Sequence, residues 1–459
     1  MALKHPFIGL TDEEVSSMLS ELGLKDVDEL FRDIPPKFFL RGELKFSRQL
    51  TEAEVRESIR NIISKNLALG EVKVFLGGGV WPHFIPSVVK EILRRSEFLT
   101  SYTPYQPEIS QGILQALFEY QSLMAELLDV EVVNASMYDW ATALGESFRM
   151  AKRVKRRNKI LYPQYVSRER LEVARTYCKP SNIILQEYSV DSTYGSVDLE
   201  DLKSKIDRDV AAVYIEYPSY LGFIPSNIRD VGEVAHDHDA LFIVGVDPTL
   251  LGIFESPGRL GADIVVGEGQ PLGLPMSFGG PLLGIMGCRM DSQLIHQLPG
   301  RLIGLTETIR GERAYTMILQ AREQHIKREK ATSNICTNQA LCAVAIAAYL
   351  SLLGKNGFIE LGKQILARTR YLIKMLSRID GVQAPLFKAV HFKEFTYKVK
   401  NKKAEYVLKR LYEKNILAGI DVGRFYNHLP EAILTCVTEI HSKDDLDIYA
   451  ESLREVVEE

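Results

Sequence analysis

Short apolar runs set the rhythm of the chain between residues 72 and 286. They are VKVFL (72–76), KILYP (159–163), NIILQEY (182–188), VAAVYIEY (210–217), ALFIVGV (240–246), ADIVV (262–266) and LLGIM (282–286). Stretches with helical periodicity separate most of them. Apolar strands interleaved with helices predict an α/β core with a mainly parallel seven-stranded sheet, covered on both faces. The two ends differ. "TDEE" at Thr11 and "TEAE" at Thr51 each place a capping threonine three residues before a glutamate, so the first 66 residues read as a helical arm. "KFFLRGELKFSRQL" between those helices reads as an extended crossing segment. Beyond residue 320 an apolar helix (340–353), a charged helix from Gly357, "HFKEFTYKVK", "AILTCVT" and a final acidic helix predict a smaller α+β region. The expected organisation is an arm (1–66), a large α/β domain (67–320) and a small α+β domain (321–459).

Composition narrows the field. With 459 residues and 46% apolar content, the chain can bury a large core. A net charge of −4 implies no general affinity for nucleic acid or an anionic membrane. "MALKHPFIGL" lacks a signal pattern, and no apolar run approaches the ~18–20 residues that cross a bilayer. Cys178, Cys288, Cys336, Cys342 and Cys436 are odd in number and lack CxxC spacing, which fits free thiols in a cytoplasmic protein better than disulfides or zinc.

Several segments carry chemistry-like residues with an ordinary explanation. The glycines of "FLGGGVWPHF" (75–84) are not followed by Lys-Ser/Thr, so a structural turn is expected rather than a phosphate loop. "HDHD" (236–239) sits where polar residues turn the chain between a helix and a strand. "RMAKRVKRRNK" (149–159) has seven basic residues in eleven, and reads first as a solvated helix face, second as a docking patch. Met124, Met137 and Met150 read as core fillers. "EFLTSYTPYQPEISQG" is more specific: prolines stiffen a loop bearing tyrosine hydroxyls beside a glutamate, which suits recognition of a small polar molecule.

One arrangement is cofactor-like. "ALFIVGVDPT" ends a strand on Asp247, and "GADIVVGEGQPLGLPMSFGGPLLGIMG" (261–287) supplies a strand, a glycine-rich loop and a strand. The pair resembles the pyridoxal-phosphate site of aminotransferase-type enzymes, where the aspartate holds the pyridine nitrogen and a loop lysine carries the cofactor. This loop has no lysine. "SYTPYQPEISQG", "NASMYDWATALGES", "LPGRLIG" and "REQHIKREKATSNICTNQAL" resemble the P-protein family of the glycine cleavage system, over essentially the whole chain. Within it they are most similar to subunit 1, the separate N-terminal half of a two-chain P-protein.

That resemblance implies an aminotransferase-type fold (PLP fold type I). It implies glycine decarboxylation with transfer of the aminomethyl group to the lipoyl arm of H-protein. It also implies an α2β2 assembly with a homologous subunit 2 that carries the lysine and the pyridoxal phosphate, and functional links to T-protein and dihydrolipoamide dehydrogenase. Matching the loops places the absent lysine near Gln270 or Pro271, neither of which can form an imine. Asp139 is expected to cap the helix end that binds the phosphate in cofactor-bearing relatives. Asp247 then reads as vestigial, and this chain should bind neither cofactor nor metal. Tyr102, Thr103, Tyr105, Gln106 and Glu108, followed by Thr332, Ser333 and Asn334, are the candidates for residues lent to the partner's site. Trp140 departs from the family pattern, where a small residue is expected. Two rival readings remain: an autonomous pyridoxal-phosphate enzyme using another lysine, and a non-catalytic scaffold for a lipoyl carrier.

Overall fold

The computed structural model describes residue 7, residues 9–40, residue 44 and residues 46–459. The chain divides into two compact units, Met1–Leu67 and Ala68–Glu459. The first holds helices α1 (Asp12–Glu21) and α2 (Glu52–Ile63), each opened by the expected capping box on Thr11 or Thr51. Among its described residues only Leu19 is buried. The expected crossing segment (37–50) starts inside a short 3-10 turn, Pro36–Phe38, while residues 41–43 and 45 lie outside the described residues, as do residues 1–6 and 8.

The second unit is built on a seven-stranded sheet. Its strands are β1 (Val132–Val133), β2 (Lys159–Pro163), β3 (Ile184–Tyr188), β4 (Val210–Tyr217), β5 (Leu241–Val246), β6 (Ile264–Glu268) and β7 (Gly284–Cys288). Their spatial order is β1-β7-β6-β5-β4-β2-β3, and only β7 runs against its neighbours. The central strands have no polar face because both sides are covered. Val213, Val244 and Val265 enter one core, while the adjacent Tyr214, Ile243 and Ile264 enter another. Such strands show continuous apolar sequence rather than alternation.

One predicted strand belongs elsewhere. VKVFL contributes only Lys73–Val74, which pairs with Ile416–Leu417 outside the main sheet. Its place is taken by Val132–Val133, too short to show a period in the sequence.

Helices α3 (Ser87–Arg94), α4 (Gln111–Leu128) and α5 (Trp140–Lys155) precede β2. A hairpin of β8 (Leu302–Glu307) and β9 (Arg313–Ile318) leads to α6 (Ala340–Leu376), interrupted at Gly354 (φ 59°, ψ −179°). By length and composition α6 is apolar enough to cross a membrane, which corrects the sequence reading. Its Ala343, Ile346, Tyr349 and Leu350 pack into the main core. The C-terminal part forms an antiparallel sheet of β10 (Val382–Gln383), β11 (Glu394–Val399), β12 (Ile420–Asp421) and β13 (Ala432–Cys436), in the order β10-β11-β13-β12. Helix α7 (Lys443–Glu458) follows.

The three methionines are fully buried. The basic run is largely tied down within the chain: Arg153 donates to Gln297, Lys155 and Arg157 pair with Asp239, and Lys159 pairs with Asp207.

Candidate functional site

Strand ends and helix ends converge where the sequence places a cofactor. Gln270 follows β6 and is completely buried. Its Oε1 accepts from the Trp81 N–H at 2.9 Å, and its Nε2 donates to the carbonyls of Trp81 (3.1 Å) and Leu274 (2.9 Å). A carboxamide has both a donor and an acceptor, so it can bridge two segments that a lysine ammonium could only donate to. The neighbouring Pro271 is also buried.

Asp247 caps the turn after β5, accepting from the Thr249 N–H (3.1 Å) and Oγ1 (2.7 Å). Its other oxygen pairs with Lys393 at 2.8 Å, and both side chains are almost fully buried. The Lys393 ammonium also lies 3.8 Å from the centre of the Trp81 ring and 3.2 Å from His83 Nε2. On its far side His83 meets Glu439 through Nδ1 at 2.8 Å. Lysine can only donate, so this chain sets His83 as acceptor at Nε2 and donor at Nδ1. Burial acts to raise the Glu439 carboxyl, but the His83 contact and the Phe84 N–H outweigh it and bring its pKa down to about 2. The result is a buried polar chain, Glu439–His83–Lys393–Asp247, running from the C-terminal part of the unit to the main sheet.

The helix end that would take a phosphate is closed. Asp139 caps α5, its Oδ1 accepting from the Thr142 N–H at 2.7 Å within a capping box. The Trp140 N–H goes to Glu268 at 3.2 Å, and that carboxylate also accepts from the Gln270 and Leu283 N–H groups, each at 3.0 Å. Burial pushes Glu268 up to about 8 against the pull of those three donors. The Trp140 indole lies on the sheet, bonded through Nε1 to the Tyr214 hydroxyl (3.2 Å). The Arg170 guanidinium stacks over it at 3.5 Å and pairs with the buried Glu216 at 2.9 Å. Gly245 is required beneath: a Cβ there would come within 2.3 Å of the Tyr214 oxygen and 2.7 Å of Trp140 Cζ2.

These residues do not fit pyridoxal phosphate. The carboxylate for the ring nitrogen already holds an ammonium, the amine position is an amide, and a carboxylate caps the phosphate end. Asp139 and Asp247 were legible as a cap and a strand-end acid. Trp81, His83, Lys393 and Glu439 were not, because they are distant in sequence and meet only through the fold.

The residues proposed for lending form a second group. Tyr102, Gln106 and Glu108 are exposed on the loop before α4. The half-exposed Tyr105 accepts at its hydroxyl from Arg301 Nη2 at 2.9 Å and packs edge-on against His325. Arg301 is itself buried, ion-paired with Glu323, and in contact with Cys336 Sγ. Thr103 bonds Thr337. Thr332 is half-buried and Asn334 exposed. Ser333 turns inward, its hydroxyl donating to the buried Glu146 at 2.7 Å, so that hydroxyl is committed within this chain. The structure therefore brings Tyr105 and Cys336 onto Arg301, with Thr103 and Thr337 bonded beside them, while "LPGRLIG" was quoted above without a role for its arginine. The metal-like "HDHD" disperses, His236 bonding Asp263 (3.0 Å) and Asp239 bonding Lys155 and Arg157.

Comparison with solved structures defines the class. Sphingosine-1-phosphate lyase from Burkholderia pseudomallei K96243 superposes with a TM-score of 0.66 over 92% of this chain and 94% of that one, at 13% identity, a likeness of fold alone. The chain has the aminotransferase-type PLP fold type I. A crystal structure of glycine decarboxylase (P-protein) of the glycine cleavage system, in inhibitor-bound form, matches at TM-score 0.86 and 38% identity, covering 98% of this chain and 100% of that one. The family model described as glycine cleavage system P-protein matches residues 5–453, and the chain belongs to that family. Two relatives are each named "Probable glycine dehydrogenase (decarboxylating) subunit 1". The one from Staphylothermus marinus is 49% identical over 99% of both chains, and the one from Pyrococcus abyssi is 48% identical over 96% of this chain and 97% of its own.

Proposed function

We propose that this chain is the subunit of glycine dehydrogenase (decarboxylating) that carries no cofactor, and that it acts only in complex with a homologous, lysine-bearing subunit 2, two copies of each. In the whole enzyme glycine loses its carboxylate as CO2, and the aminomethyl group passes to the lipoyl arm of H-protein. The observation that supports a silent site here is Gln270, fully buried and bonded three ways to Trp81 and Leu274. The lysine–aspartate pair beside it agrees.

This chain's contribution is positional. Tyr105 is held by a buried arginine, so its hydroxyl keeps one orientation at the surface, while Tyr102, Gln106 and Glu108 stand exposed on the same stiff loop. Placed against subunit 2, such groups orient a small zwitterion and exclude water from it. Thr332 and Asn334 are next in line, at the start of the segment leading into α6.

The test is a visible absorption spectrum of the chain mixed with pyridoxal phosphate, desalted, and compared with the same sample after subunit 2 is added. Colour is expected only with subunit 2. A stoichiometric lysine adduct on this chain, trapped by borohydride, would overturn the proposal.

A further inference from the structure

Beside the filled site lies a half-open cavity of about 530 Å3, within the range of small-molecule pockets. Gln270, Trp81 and His83 form its inner wall, and the short strand Lys73–Val74 with the residues just before it forms part of its rim. Most of the lining is apolar: Val74, Ile85, Leu274, Met276 and Ile440, together with the exposed ring of Phe84.

Elimination defines what it would take. Gln270 has both amide groups bonded within the chain, as above. His83 is held at both nitrogens. His441 is too, its Nδ1 accepting from the Thr438 N–H and its Nε2 donating to the Val74 carbonyl. Asp445 accepts from Lys73, Ser442 N–H and Ser442 Oγ, which leaves it little capacity. Three lining side chains retain hydrogen-bonding capacity, and all three are donors. The Trp81 Nε1 is buried and without a partner. Lys73 keeps donors beyond its one ion pair, and Lys90, exposed on α3, has no carboxylate within ion-pairing distance among the described residues. An apolar chamber whose unsatisfied side chains are only donors, two of them cationic, favours an anion with a hydrocarbon body.

We infer that this cavity binds an amphipathic monocarboxylate, its aliphatic body against Trp81, Leu274 and Met276 and its carboxylate at Lys90 and Lys73. Its test needs neither cofactor nor turnover. The chain has two tryptophans. Trp81 lines the cavity. Trp140 is packed under Arg170. In a Trp140→Phe background, tryptophan emission reports the cavity wall alone.

The probe is octanoate, titrated against the full-length chain, with equilibrium dialysis of the unmodified chain as a label-free second measurement. One saturable site per chain is expected by both methods. Lys90→Met, an exposed change that keeps the aliphatic stem, should weaken octanoate by about tenfold, the loss expected for one charge-assisted contact. 1-Octanol should bind no more tightly to wild type than octanoate binds to Lys90→Met. Absence of saturable binding in dialysis would overturn the inference. So would octanoate affinity unchanged by Lys90→Met, or octanol binding as tightly as octanoate.

Discussion

Lys393→Met tests whether the lysine–aspartate pair at the centre of the filled site holds the fold together. The lysine and Asp247 side chains are 1% and 3% exposed and 2.8 Å apart. Removing the ammonium leaves a carboxylate with no counter-charge in a dry interior, and also removes the partner of His83 Nε2 and the cation over Trp81. Breaking one side of such a pair costs about 3–5 kcal/mol, whereas replacing both sides with neutral groups of similar size is often near neutral. The double variant Lys393→Met/Asp247→Asn should therefore recover most of the loss. The assay is a double-mutant cycle from the midpoints of urea unfolding, followed by tryptophan emission, with both single variants included. Additive single and double effects would show that the pair is incidental.

The other predictions are independent of that pair or extend it. Gln270→Lys alone should not give a protein trapped by borohydride with pyridoxal phosphate, because Asp247 still holds Lys393 and Asp139 still caps α5; a stoichiometric adduct would contradict the filled-site geometry. Tyr105→Phe should lower glycine decarboxylation by the assembled enzyme by roughly 10- to 150-fold, the range for a lost hydrogen bond to a charged group, while complex mass is unchanged; full activity would make the loop structural. Glu439 has its pKa lowered from 4.5 to about 2, so its stabilisation is present above pH 4.5 and is lost as pH falls toward 2; Glu439→Gln should flatten the acid limb of a stability–pH curve. Gly77→Ala should destabilise by about 1–3 kcal/mol in urea titration, since the new Cβ would meet Glu394 Oε1 at 2.1 Å and Cys436 Cβ at 2.9 Å.

The fold was legible where the physics is local or strongly periodic. Capping threonines announced α1 and α2, and the continuous apolar runs announced β2 to β7, although β3, β6 and β7 begin two residues later than their runs suggest and β5 one residue later. Val132–Val133 was hidden because two residues carry no period. VKVFL misled because a short apolar run does not say which sheet it joins. The site divided in the same way. The missing lysine, Asp247 and the Asp139 cap are local facts. Lys393 sits between Phe392 and Glu394 in a strand-like stretch, and only the fold brings it to Asp247, 146 positions earlier in the sequence. Arg301 likewise gained meaning only when Tyr105 and Cys336 were found against it.

The Lys393–Asp247 pair also bears on ancestry. A chain that holds an ammonium on this aspartate cannot accept pyridoxal phosphate at this position by one substitution. Restoring the loop lysine leaves the nitrogen position taken, and removing Lys393 first strands a buried charge. Trimming Trp140 first opens a hole beneath Arg170. Each first step destabilises this chain before it offers a cofactor site, so the division of labour proposed above would be held in place by this chain's own stability.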